Sequence, residues 1–478
     1  MIDNALFSDF YELTMAQGFW KKGNNTKTVF EMFFRSNPFR GGYSVFAGLE
    51  PLLETIQTFH FEKSDIDWLK SLGIFEKDFL EYIAGFKFSG NIWAMKEGSV
   101  VFPNEPLIRI EADTVEALLL EGLILNMINF QTLIATKTAR IWLASKKGAI
   151  MEFGLRRAQG NDGAMSATRA AYIGGAFGTS NSLAAKELGI PALGTMAHSW
   201  IMSFKNEEDA FQAYADMYPD NSIFLIDTYD TLRSGIVNAI KVGKRLQEKG
   251  KNFGVRLDSG DIYYLSKDVR KRLDEAGCPT AKISVSNELT EEIVESLVQN
   301  NAPIDSWGVG THMVTGGNEA SLTGVYKMAA RKSLGETEWT PVMKFSDNPA
   351  KMTNPACKQV WRLYNPDGTF KADVLTLENE KIEEGVEQTF YHPANDYQNF
   401  TFTPTKVQAL LEKRIENGKA VGKTPSLKEI KAYAEKQLDS LDYTSKRLLN
   451  PHIYKVSLSE KMRDLKQKLI KNKPVFKN

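Results

Sequence analysis

The residues best suited to chemistry lie between 149 and 311, at the ends of short β-prone runs. The stretch VRLDSGD puts Arg256, Asp258 and Asp261 in one tight loop. An arginine fork binds carboxylate or phosphate through parallel N–H donors, and aspartate suits ribose hydroxyls or a magnesium ion. GTMAHSW adds Thr195 and His198, FLIDTYDT adds Asp227 and Asp230, and FGTSN adds Thr179, Ser180 and Asn181. EFGLRRAQG supplies Phe153, Arg156 and Arg157, SVSNE supplies Ser286 and Asn287, and WGVGTHMVTGG supplies a glycine-rich turn with Gly308, Gly310 and Thr311. Glycines opening a helix let backbone N–H groups and the helix dipole hold phosphate. Guanidinium groups, carboxylates, an imidazole and open backbone together suit chemistry on a sugar phosphate.

Each element also has a plainer reading. The carboxylates of DTYDT and LDSGD read equally as helix caps, a role worth ~1 kcal/mol. Short glycine patterns are common in structural turns. Of five histidines, His60, His392 and His452 read as surface or satisfied core residues. His198 follows a strand in small, polar surroundings that suit a functional role. His312 has a similar place, but Gly-Thr-His reads equally as a turn cap.

The elements that must position these residues repeat one unit, a β-prone run followed by a helical stretch. Seven runs begin at 149, 174, 191, 222, 253, 282 and 306, most at intervals close to those of a βαβ unit. This rhythm predicts a parallel sheet, closed into a barrel or part of one, with ligands at the carboxyl ends of the strands. A doubly wound open sheet is the alternative. Residues 1–145 lack the rhythm and read as a separate α+β domain, with strand-like TKTVFEMFFR and GYSVFAGLE. Residues 146–330 form the α/β part, and 331–478 a C-terminal extension of hairpin and helices packing on the N-terminal domain. WRLYNPDGTF marks the hairpin. The tail from Lys406, rich in Lys and Glu at helical spacing, reads as solvated helices.

The totals narrow the classes. A chain of 478 residues, 42% hydrophobic, can fill two or three cores. Lys+Arg and Asp+Glu are both 59, which leaves no global field for nucleic acid or an anionic membrane. Two cysteines, Cys278 and Cys357, have no paired spacing, which fits a reducing cytoplasm and neither a disulfide framework nor a zinc knuckle. The start of the chain does not read as a signal peptide. The longest apolar run, Ala117 to Ile128, is interrupted by Glu121 and reads as a buried helix, short of the ~18 residues of a membrane span.

Six ordered motifs, SDFYELTMAQG, EFGLRRAQG, AAYIGGAFGTSN, GTMAHSW, VRLDSGD and WGVGT, with KFSDNPAKMTNPACKQVWRLY after them, resemble nicotinate phosphoribosyltransferases over most of the chain. The resemblance implies an irregular α/β barrel of the type II phosphoribosyltransferase kind, an N-terminal domain packed against it, and a dimer whose active sites lie at the subunit boundary. It implies that Tyr11 stacks on the pyridine ring of a neighbouring subunit's substrate, with Phe153 on the other face. Arg256 would meet the nicotinate carboxylate with Thr195 in the same pocket. ATP, a co-substrate, would phosphorylate His198. Asp227 and Asp258 would face the ribose and its magnesium, which substrate phosphates mainly hold; Gly308, Gly310 and Thr311 would receive the 5-phosphate, with Arg156 beside it and Asp261 in the same loop as Arg256. The role of ATP comes only from the resemblance, since no Walker-type loop appears.

The nicotinamide enzyme is the nearest rival. It carries an Asp at the position matching Ser180, where a carboxylate would repel nicotinate and a hydroxyl does not. The quinolinate enzyme would call for a more basic pocket and a shorter chain. A non-catalytic homologue would be expected to lack one of His198, Arg256, Asp258 or the glycine-rich loop. A Schiff-base lyase needs a strand-end lysine, and Lys282 stands at the opposite end of its run.

Overall fold

Six of the seven β-prone runs become strands in the computed structural model, which describes residues 4–333, 335–348, 351–395 and 397–472. The chain divides into two units, Lys137–Ala320 and a second made of Met1–Thr136 with Ser321–Asn478.

In the first unit the strands are β1 (Ala149–Glu152), β2 (Gly178–Thr179), β3 (Ser222–Leu225), β4 (Phe253–Leu257), β5 (Lys282–Val285) and β6 (Ser306–Val309). All pair in parallel, in the order β2-β1-β6-β5-β4-β3. The last strand therefore lies beside the first, Val309 opposite Glu152, so the sheet curls back on itself as an irregular barrel and is not doubly wound. The break in the ring falls at PALGTM. That run forms no strand; it makes one bridge, Thr179 to Ala192, because Pro191 offers no N–H and only its carbonyl accepts, from Thr179 N at 3.0 Å. Gly178 fits there because a Cβ would lie 2.5 Å from the Pro191 oxygen. Strand interiors such as Val255, Leu257, Ile283 and Val309 are fully buried, as expected of a parallel sheet covered by helices. Side-chain caps set the helix starts: Asn181 for Ser182–Leu188, Thr290 for Glu291–Gln299 and Asp261 for Ile262–Glu275.

The second unit combines segments from both ends of the chain. Lys27–Phe34, within the strand-like TKTVFEMFFR, is flanked by Ile108–Asp113 on one side and Gly324–Arg331 on the other, both antiparallel, in a seven-stranded sheet. GYSVFAGLE yields only Ser44–Val45. The expected hairpin is present, Lys358–Tyr364 against Phe370–Leu377, with Gly368 at φ 84° in its turn. It belongs to a six-stranded sheet in which Val456–Leu458 lies between Phe370–Leu377, parallel to it, and Gln388–Tyr391, antiparallel to it. The tail departs from the all-helical expectation. Lys406–Ala409, Glu412–Glu416 and Lys419–Ala420 are strands, and the helices, Leu427–Ser440, Tyr443–Lys446 and Glu460–Lys471, follow them. The Asn417-Gly418 pair, both left-handed at φ 49° and 74°, forms the tight turn joining Glu412–Glu416 to Lys419–Ala420. Its signal was masked by the Lys/Glu content. Among the described residues one helical run, Thr114–Ala144, is long and apolar enough to cross a membrane, and 67% of its most apolar window is buried inside the protein.

Candidate active site

Within the barrel unit, the strand ends surround a cavity of about 490 Å³. Phe153, Arg156, Arg157, Ser180, Thr195, His198, Arg256, Asp258, Ser286, Asn287, Gly308, Gly310 and Thr311 all line it. Arg256 is its centre. The side chain leaves β4 and is 14% exposed. Its Nε donates to Ser286 Oγ at 2.8 Å, Nη1 to Thr195 Oγ1 at 2.9 Å and Nη2 to Asp258 Oδ1 at 3.0 Å. Three of the five guanidinium N–H groups are thereby used, leaving one on each terminal nitrogen, the spacing that matches two oxygens of one carboxylate. The guanidinium carbon lies 5.7 Å from the centre of the Phe153 ring, within cation–π range. Gly308 makes room for that ring, since a Cβ there would come 2.7 Å from it.

A second polar group adjoins. His198 opens the helix His198–Met202; its Nδ1 is 3.1 Å from Thr228 Oγ1 and its Nε2 3.8 Å from Asp258 Oδ2. Asp258 N and Ser259 Oγ donate to Asp227 Oδ2, while the buried Oδ1 of Asp227 has no hydrogen-bond partner. Asn287 lines the cavity with φ 114°, a costly conformation of the sort that gathers at functional sites.

Three family models match the chain: the nicotinate phosphoribosyltransferase N-terminal domain over 6–129, the nicotinate phosphoribosyltransferase family over 149–393 and its C-terminal domain over 357–466. A nicotinate phosphoribosyltransferase of Bacillus subtilis is 41% identical over 458 residues, covering 95% of this chain and 93% of its own. The chain belongs to this family. The human nicotinic acid phosphoribosyltransferase structure superposes with a TM-score of 0.85 at 29% identity, over 97% of this chain and 99% of that one. A nicotinate-nucleotide pyrophosphorylase from Pyrococcus furiosus shares the fold, with a TM-score of 0.71 at 24% identity over 91% of this chain and 95% of its own. The protein is thus a transferase enzyme, and its substrate class is nicotinate, not nicotinamide.

In this nicotinate phosphoribosyltransferase several expected residues stand apart from the cavity. Asp261 caps its helix, accepting from Tyr264 N at 3.0 Å, and does not line the cavity. Asp230 likewise caps, accepting from Leu232 N and Arg233 N. Asp227 reaches the site only through Asp258 and Ser259. His312 pairs with Glu288 at 3.2 Å. Tyr11 lies in the other unit on the helix Phe10–Lys21, 46% exposed, with its hydroxyl bonded to Glu121. Beside it Glu12 is fully buried, and that burial, reinforced by Glu121, pushes its carboxyl up to about 8. Burial raises both thiols, Cys357 to about 12, so neither is a nucleophile at neutral pH. Glu111, Cys357 and Glu378 come within 4.8 Å of one another, but Arg109 bridges the two carboxylates and takes the place a cation would need. Sequence reasoning missed Glu152 and Thr228. Both stand one residue from a singled-out position, Phe153 and Asp227, and only the folded contacts distinguish them. A larger cavity of about 700 Å³, in the second unit, holds no residue singled out for the site.

Proposed function

We propose that this enzyme makes nicotinate mononucleotide and pyrophosphate from nicotinate and phosphoribosyl pyrophosphate, with ATP hydrolysis coupled through His198, as a step of NAD salvage in the cytoplasm. The observation that carries this reading is the anchored Arg256 fork beneath Phe153. A flat heteroaromatic acid laid on that ring can present its carboxylate to the two remaining N–H groups, and Thr195 and Ser286 hold the fork in place. Ser180 offers a neutral hydroxyl nearby.

The chemistry then follows from charge. The pyridine nitrogen has no proton to lose at neutral pH, so it attacks the anomeric carbon directly and no general base is needed. As pyrophosphate departs, positive charge builds on the sugar, which the carboxylates of Asp227 and Asp258 tolerate. Gly308, Gly310 and Thr311 are assigned to the 5-phosphate with Arg156 beside them. Asp258, which lines the cavity and whose backbone N–H is held by Asp227, fits a magnesium ion held mainly by substrate phosphates. That ion would neutralise charge growing on the leaving group. Phosphorylated His198 would add charge beside the phosphate site, tightening substrate binding until hydrolysis resets it. On this reading residues 146–330 carry the chemistry and 1–145 lend Tyr11 to the partner of a homodimer, with 331–478 as an extension.

The test is incubation with labelled ATP. An acid-labile, base-stable protein phosphate that disappears in His198→Ala is expected; label that survives the substitution removes His198 from this role.

A further inference from the structure

Glu152 ends β1, is 1% exposed, and touches no substrate-facing space. Its carboxylate accepts from three neutral donors, Gly154 N, Thr168 Oγ1 at 3.0 Å and Thr179 Oγ1. No ion pair to it occurs among the described residues. A buried carboxylate without a cation is a costly way to stabilise a fold, but its short, charge-assisted bonds fix geometry well.

What they fix is specific. Gly154 N is the amide after Phe153, and Phe153 N is already held by Val309 O at 2.8 Å. The Phe153 ring therefore leaves a turn clamped on both sides. Thr179 precedes Ser180, whose own N–H donates to Glu152 O at 2.9 Å. Thr168, on the helix Gly160–Ile173, is the third anchor. One carboxylate thus ties β1, β2 and a covering helix behind the aromatic face and the neutral hydroxyl, and makes no bond to Arg256, His198 or the glycine-rich turn.

We infer that Glu152 is a positioning residue for nicotinate specifically, setting Phe153 and Ser180 while leaving the phosphoribosyl half of the site alone. This rests on the reading above that Phe153 and Ser180 face the pyridine ring.

The experiment measures kcat and both KM values in Glu152→Gln, Thr179→Val and Thr168→Val, with Phe153→Ala as a reference. In Glu152→Gln the new NH2 must confront the Gly154 N–H or turn both hydroxyls round. The KM for nicotinate is expected to rise about tenfold, with that for phosphoribosyl pyrophosphate within about twofold and the melting temperature recorded for each variant. Thr179→Val removes one donor to Glu152, and with it the acceptor of the Asn181 N–H, without changing shape; it should shift the same constant in the same direction, and Thr179→Ser should recover most of it. The two valine variants decide the matter if Glu152→Gln does not fold. A parallel rise in both KM values, or an unchanged nicotinate KM while Phe153→Ala raises it, overturns the inference. If Phe153→Ala itself leaves the nicotinate KM unchanged, the underlying assignment of Phe153 fails, and the inference with it.

Discussion

Arg256 acts through what restrains it. Three bonds to Ser286, Thr195 and Asp258 cost the guanidinium its rotational freedom in advance, so a bound carboxylate meets donors that are already aimed. Selectivity then depends on what else carries charge nearby, and Ser180 lines the same cavity. Ser180→Asp would bring a carboxylate against the substrate's own, and kcat/KM for nicotinate should fall by about 100-fold, a repulsion of ~3 kcal/mol in a partly desolvated site. Steady-state kinetics with nicotinate and nicotinamide side by side check this; unchanged nicotinate kinetics would detach Ser180 from selectivity. At this scale the sequence was informative. Arg256, Asp258, Thr195 and His198 could be named because strand ends in a parallel barrel converge. Asp261 and Asp230 could not be sorted the same way, since an Asp before a helix looks alike whether it caps or binds, and only the bonds to Tyr264 N and Leu232 N decide. Glu152 escaped notice because nothing local separates a strand-end carboxylate that braces its neighbours from one that faces solvent.

Elements were legible where period and punctuation agreed. The Asn-Pro-Asp-Gly turn marks its hairpin, while the Asn-Gly turn of the tail sits in a stretch whose Lys and Glu content reads as helix, and PALGTM fails as a strand through its proline. Two elements of the second unit carry predictions of their own. The hairpin Lys358–Leu377 is held by a fully buried pair: Arg362 donates to both oxygens of Asp373, and also to Gln437 Oε1 and Val100 O. Arg362→Ala leaves Asp373 buried and without its cation. It should cost about 3–5 kcal/mol by denaturant unfolding, whereas replacing both partners together should cost much less. The helix Phe10–Lys21 carries Glu12, whose carboxyl is raised from 4.5 to about 8. Because the folded state holds that proton more tightly, the favourable contribution is complete below about pH 4.5 and is lost as pH rises through 8. Glu12→Gln should therefore unfold at nearly the wild-type temperature at pH 5 and be the more stable of the two at pH 8.5. A constant offset across that range would show that Glu12 titrates normally.

At the scale of the molecule, the proposed sharing of sites between subunits makes a sharp claim, because Tyr11 lies in one unit and the cavity in the other. Tyr11→Ala and Arg256→Ala should each be nearly inactive alone. Mixing and reassembling the two should restore about a quarter of wild-type activity, since half the dimers would be mixed and each of those holds one intact site. No recovery on mixing, with subunit exchange verified by mass spectrometry, would place Tyr11 in its own subunit's site or outside catalysis.

The strand Lys27–Phe34 lies against Gly324–Arg331. During synthesis its exposed edge must wait for almost 300 further residues, at roughly 5–20 residues per second some 15–60 seconds, while the whole barrel emerges and can close behind it. An apolar edge kept open for that long is a point of attack for aggregation. Newborn chains of this enzyme should therefore depend on chaperones for the segment made first, and a circular permutant that begins near residue 321 would shorten the wait.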